Sequence, residues 1–169
     1  MKGITLIGMP ASGKSTIGKK LAGRLKWKFV DLDVLINTEE GTAVDEILRK
    51  KGEQELLRLE NIYTLKQNFS DVVFSPGGSI IYSAEAMEKL KKETTVIYLE
   101  TSLKEIKKRM KNHIRKEAVV GLEGKGLDNL FQERDPMYKS NADYVIDCSA
   151  FSRRSAQNSL VNHIISLLN

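Results

Sequence analysis

The sequence predicts an α/β fold: a three-layer sandwich with helices on both faces of a five-stranded parallel sheet. Three observations lead there. Short runs rich in β-branched and aromatic residues occur at 4–7, 28–33, 72–75, 94–100 and 143–148, and none alternates with polar residues. Strands of a parallel sheet, buried on both faces, have this texture. The stretches between them carry apolar residues at helical spacing, and strand–helix–strand repeated in this way builds a right-handed sandwich. The first strand also runs into a glycine-rich turn that opens a helix.

In chain order, the strand at 4–7 leads into Gly8-Met9-Pro10-Ala11-Ser12-Gly13-Lys14-Ser15 and then a helix over 14–25, with Ile17, Leu21, Ala22 and Leu25 on one face. The turn matches G-x-x-x-x-G-K-[ST], the phosphate-binding P-loop, with a strand before it and a helix after it. Gly8 and Gly13 allow torsions that gather several N–H groups round an anion, and the helix start aims its positive end there. Lys14 adds a full charge at the β- and γ-phosphates, and Ser15 offers a hydroxyl to Mg²⁺. The nucleotide-holding set read from this stretch is Gly8, Ala11, Ser12, Gly13, Lys14, Ser15 and Thr16.

The second strand, 28–33, ends in Asp31-Leu32-Asp33. Period-2 alternation sends both carboxylates to one side, at the strand end where open parallel sheets bind ligands. Transfer of a phosphoryl group to a hydroxyl needs one such group to help hold Mg²⁺ and another to orient the alcohol and take its proton. A helix cap is the competing role for one of the two. A helix is expected over 53–69, with leucines at 56, 57 and 59 followed by Ile62, Tyr63 and Leu65. After the third strand, Gly77 and Gly78 suit a close approach of backbone to ligand or, equally, a plain turn.

Further helices are expected at 84–92, 103–112 and 152–168. Residues 104–116 hold one glutamate against eight basic residues, His113 included. The segment 112–125 has weak periodicity and reads as a mobile lid loop.

The P-loop, Asp31-Leu32-Asp33, Gly41, Gly52-Glu53, Glu60, Gly77-Gly78 and the ERDPMY stretch at 133–138 together resemble the shikimate kinases, in order and spacing, from about residue 3 to residue 147. The resemblance implies a single P-loop kinase domain over 1–169, with a helical substrate-binding segment at about 33–62 and a lid at about 112–125. It implies transfer of the ATP γ-phosphate to the 3-hydroxyl of shikimate. By position, Lys14, Asp33 and Arg115 would be catalytic, with Asp33 the base and Arg115 the lid arginine. Ser15 and Asp31 would serve the metal, and Arg109 would lie against the adenine. Asp33, Leu57, Gly77, Gly78 and Arg134 would line the acceptor site, with Arg134 on its carboxylate.

Four positions depart from that pattern. Ala11 and Ser79 stand where the family has glycine, and Lys116 replaces a proline. Leu57 stands where an arginine would share the carboxylate with Arg134. Arg58 is one residue late, 100° round a helix, and Glu55 is three residues before it, so a surface pair is expected. Because of Leu57 and Ser79, which both sit where the family chooses its substrate, a same-fold kinase of another small hydroxy metabolite, such as a sugar acid, is the alternative reading.

The composition narrows the classes further. One cysteine, Cys148, excludes an internal disulfide, and a reducing, cytoplasmic setting follows as the expectation. No window approaches the ~18 apolar residues of a membrane span. A net charge of +5 fits anionic substrates. A noncatalytic nucleic-acid-associated protein would also use such charge, but would have no need of Lys14, Ser15, Asp31 and Asp33 together. The expected partners are ATP with Mg²⁺ and a small anionic hydroxylated metabolite, with no nucleic acid, no membrane and a monomeric state.

Overall fold

In the computed structural model, residues 2–112, 119–151 and 156–168 are described. Five parallel strands form one sheet: β1 (Gly3–Ile7), β2 (Lys28–Asp31), β3 (Val72–Ser75), β4 (Thr94–Glu100) and β5 (Tyr144–Asp147), in the order β2-β3-β1-β4-β5. β1 is central. Ile4 and Thr5 pair with Val73 and Phe74 of β3 on one side, and Gly3 to Ile7 pair with Thr94 to Tyr98 of β4 on the other.

Side chains alternate between two apolar layers, as strand geometry requires. Ile4, Leu6, Val73, Ile97 and Leu99 point to one layer, closed by helices α1 (Lys14–Leu25) and α8 (Gln157–Leu168). Ile7, Val72, Phe74, Val96 and Tyr98 point to the other. That second layer takes α2 (Leu32–Glu40), α3 (Val44–Lys51), α4 (Glu53–Lys66), α5 (Ala84–Glu93), α6 (Leu103–Asn112) and α7 (Leu122–Asn141). Each fully buried aliphatic side chain contributes on the order of 1.5–3 kcal/mol, so this double-sided burial holds the sheet together. The α/β sandwich read from the sequence is the fold observed.

Several element bounds differ from the sequence reading. The strand read as 28–33 stops at Asp31, and Leu32 begins α2. The reason is local: Asp31 Oδ1 accepts a hydrogen bond from the Asp33 N–H at 3.1 Å, an N-cap that ends the extended run. The helix read as 53–69 ends at Lys66, where Gln67 is extended. Helices α2 and α3 fall within the segment expected to be helical at about 33–62, though they were not read individually, and α7 lies where no helix was read. The segment read as a loop, 112–125, already enters α7 at Leu122, and Gly126 breaks that helix with φ 72° and ψ 162°. Residues 113–118, which hold the rest of the expected lid, lie outside the described residues.

Candidate active site

At the carboxyl end of β1 the chain wraps round the start of α1. Gly8 and Gly13 have φ of 148° and 102°, and Ala11 has a left-handed φ of 62°. The third of these places a Cβ where glycine would sit without strain, at a cost of about 1–2 kcal/mol. Lys14 Nζ donates to the carbonyls of Gly8 and Met9 at 2.8 and 2.9 Å. Burial lowers its pKa to about 8, while Asp33 and Asp31 push it back up. The hydroxyl of Ser12 is buried with no hydrogen-bond partner. A ring of amides, an ammonium taken out of water and an unpartnered buried hydroxyl together ask for an oxyanion.

Ser15 Oγ donates to Asp31 Oδ2 at 2.6 Å. A hydroxyl beside one carboxylate suits Mg²⁺, which keeps several waters and takes one or two carboxylates plus phosphate oxygens. No cluster of three or more His, Cys, Asp or Glu residues occurs among the described residues. Asp33 sits in the first turn of α2 rather than on a strand, yet it still faces the cavity with Asp31.

The cavity has a volume of about 600 Å³ and runs from the P-loop to a second, acceptor-like end. Gly77 and Gly78 follow β3 there. A Cβ on Gly77 would overlap Glu60 Oε1, and one on Gly78 would come within 3.1 Å of Arg134 Nη1, Pro10 Cδ and the Tyr138 hydroxyl. A side chain at Gly77 would require Glu60 to move, and one at Gly78 would require its neighbours to give by a few tenths of an ångström. Arg134, 1% exposed, projects from α7. Its Nη2 donates to Val120 O at 2.8 Å, its Nε donates to the Tyr82 hydroxyl at 3.1 Å, and its guanidinium lies 5.0 Å from the Tyr82 ring centre. The Tyr138 hydroxyl donates to Gly78 O at 2.6 Å, which pins the glycine loop to α7.

From the sequence, Glu60 counted only toward the family resemblance and Ser79 only as a departure from it at a position of substrate choice, while Tyr82 and Tyr138 received no role. Glu60 is buried on α4, and Ser79 Oγ contacts both of its carboxylate oxygens. Burial lifts the Glu60 pKa to about 7. The Ser79 hydrogen bond opposes that rise, Asp33 adds to it, and Arg134 and Lys14 oppose it. The clue in the sequence was its place one turn after Leu56 and beside Leu59, on the apolar stripe of α4.

The remaining sequence candidates are dispersed. Leu56 and Glu60 line the cavity, but Leu57 does not; it is partly buried against the α2–α7 layer. Arg58 is 56% exposed and forms a fork with Glu55, Nε to Oε2 and Nη2 to Oε1, both 2.8 Å. It is a surface partner, as expected. Arg109 reaches from α6 to the P-loop, where Nη1 donates to the carbonyls of Ala11 and Ser12 at 3.1 Å and Nε to Glu105 at 2.9 Å. Thr16 and Ser12 border the cavity, whereas Gly8 lies behind it, against Leu99 and Tyr98. Arg115 and Lys116 lie outside the described residues. Cys148 is a buried free thiol, with burial holding its pKa up at about 11.

The family model described as Shikimate kinase matches residues 10–168. A shikimate kinase of Persephonella marina is 34% identical over 167 residues, covering 97% of this chain and 99% of that protein. Among solved structures, the shikimate kinase from Acinetobacter baumannii in complex with shikimate has a TM-score of 0.81 at 27% identity, covering 99% of this chain and 93% of its own. The shikimate kinase from Bacteroides thetaiotaomicron has a TM-score of 0.84 at 26% identity, covering 99% and 98%.

Proposed function

This chain belongs to the shikimate kinase family, and on that premise we propose that it transfers the γ-phosphoryl group of ATP to a hydroxyl of shikimate. The observation that carries the reading is the single cavity that joins the P-loop and Asp33 to a buried guanidinium, Arg134. A phosphate-binding end and a carboxylate-binding end, with a carboxylate base between them, fit a hydroxy acid acceptor.

In this reading the P-loop amides and Lys14 hold the β- and γ-phosphates, and Ser15 and Asp31 would hold Mg²⁺, Asp31 through water. That ion, when bound, neutralises charge that builds on the phosphates. Asp33 orients the acceptor hydroxyl and takes its proton as the new O–P bond forms and the bond to the ADP oxygen breaks. Arg134 grips the acceptor carboxylate, and Gly77 and Gly78 let it lie against the backbone. Arg109 flanks the adenine, and Arg115, which lies outside the described residues, is assigned to the transferring phosphate by the family resemblance alone. The sugar-acid alternative rested on Leu57 and Ser79; Leu57 does not line the cavity, whereas Ser79 does, and the family match over residues 10–168 favours shikimate.

A coupled assay for ADP release with shikimate, quinate, gluconate and nucleoside monophosphates tests the reading. Turnover is expected with shikimate, and its absence at millimolar concentration would sink the proposal. Asp33→Asn is expected to lower kcat by about 100-fold or more, within the span of general-base effects.

A further inference from the structure

Arg134 lines the cavity, but it is held from behind by Tyr82, which does not. Its Nε donates to the Tyr82 hydroxyl at 3.1 Å, and its guanidinium carbon lies 5.0 Å from the centre of the Tyr82 ring. Its Nη1 sits at the cavity end, beside Gly78. The Tyr82 hydroxyl in turn donates to Glu133 Oε1 at 2.6 Å, and Glu133 Oε2 takes the ammonium of Lys125. A phenol carries one hydrogen. Glu133 takes it, so the phenol can offer Arg134 only a lone pair. Lys125 and the Tyr82 hydroxyl hold the Glu133 carboxyl below the usual carboxylate range, so it stays ionised and keeps that hydrogen bond. Tyr82 itself ends a short 3₁₀ turn, Ile80–Tyr82, just past the glycine loop. Its N–H donates to Ser79 O at 2.9 Å, and Ile80 and Ile81 are buried in the core beside it.

We propose that Tyr82 is a positioning residue for the acceptor: its phenol, held by Glu133 as a hydrogen-bond acceptor, aims the Arg134 guanidinium and leaves its charge free for an incoming carboxylate. The proposal rests on the acceptor reading given above and adds the device that orients the clamp. A buried guanidinium needs partners for its donors. A carboxylate bonded directly to it would supply them but would offset its charge, and the acceptor would then have to compete. A neutral phenol satisfies Nε without that competition, and the Val120 carbonyl does the same for Nη2 at 2.8 Å. Glu133 is next to Arg134 in the chain, but successive helix residues point 100° apart, and its carboxylate bonds the phenol. The negative charge thus stands one group behind the guanidinium, where it strengthens the phenol as an acceptor. Because the 3₁₀ turn follows Gly77 and Gly78 directly, the backbone that the acceptor lies against and the group that aims Arg134 are fixed to each other.

The test is initial-rate kinetics with Mg-ATP and shikimate for the wild type, Tyr82→Phe, Glu133→Ala and the double variant. Tyr82→Phe keeps the ring and removes only the hydroxyl. It is expected to raise the KM for shikimate about tenfold, as one hydrogen bond to a charged group is lost, and to leave kcat and the KM for ATP little changed. Glu133→Ala is expected to raise the KM for shikimate about threefold, because the phenol is no longer held as an acceptor. In the Tyr82→Phe background the same change is expected to add no rise, because Glu133 acts through the phenol. An unchanged KM for shikimate in Tyr82→Phe, a fall in kcat with a matching rise in the KM for ATP, or an added rise from Glu133→Ala in the Tyr82→Phe background would overturn the proposal. Nitrogen NMR of the labelled free enzyme gives a second readout that needs no acceptor. The Arg134 Nε–H signal, identified by its loss in Arg134→Lys, is expected to exchange slowly in the wild type and about tenfold faster or more in Tyr82→Phe. Fast exchange in the wild type, or an unchanged rate in Tyr82→Phe, overturns the proposal. If exchange depends on Tyr82 and the wild type does not turn over shikimate, the acceptor reading fails while Tyr82 still positions Arg134.

Discussion

Lys14 is the residue whose chemistry changes most on binding. Its ammonium is buried and held by two carbonyls, and its pKa falls to about 8. A phosphate beside it would favour the charged form and raise that value. The sign follows directly. Below pH 8 the ammonium is already charged, so ATP arrives without a proton change at this group. Above pH 8 part of the population is neutral and must be reprotonated as ATP binds. Calorimetry in two buffers of different ionisation heat should show uptake of about half a proton or more at pH 8.5. It should show none from this residue at pH 6.5, and the uptake should vanish in Lys14→Met. Lys14 and its neighbours Gly13 and Ser15 were legible from the motif alone, because a short contiguous segment makes the phosphate site. Glu60 and Ser79 were not, because 19 residues separate them and only the packing of α4 against the glycine loop brings them together.

At the scale of elements, α6 is tied to the P-loop by one side chain. Arg109 spans from Glu105, one turn back on the same helix, to the carbonyls of Ala11 and Ser12. Half-buried, charge-assisted bonds of this kind contribute about 1–3 kcal/mol. Arg109→Ala should therefore raise the KM for ATP by about tenfold and leave the KM for shikimate little changed, which initial-rate measurements separate. The sequence exposed α1 and α6 because their apolar residues recur at helical spacing. It hid α2 because Asp31 reads as part of the strand until its side chain is seen capping the helix. It hid α7 because Gly126 and Pro136 both lie inside the helix and break the pattern. Arg134 nevertheless stands on α7 between the buried residues Leu130 and Tyr138, at positions four apart that share one helical face.

At the scale of the whole molecule, the sheet order puts the two ends of the cavity under the control of distant strands. β1 carries the P-loop, β2 delivers Asp31, and β3 delivers the glycine loop, all at the same edge of the sheet. The fold class was legible because every strand but the edge ones is a continuous apolar run. The order of the strands was not, since each run would fit several positions. That order has a consequence for synthesis. β1 is synthesised before the other four strands, but one of its flanks is completed only when Ile7 meets Tyr98 of β4. Until then half of its backbone N–H and C=O groups lack their sheet partners. A nascent chain released at Glu93 is therefore expected to be unable to retain ATP, and retention should begin only with chains that extend beyond Glu100. A filter-binding series on truncated chains would locate that onset. The phosphate loop is a contiguous run of eight residues, Gly8 to Ser15, yet it is expected to hold phosphate only once a strand some ninety residues further along has paired beside it.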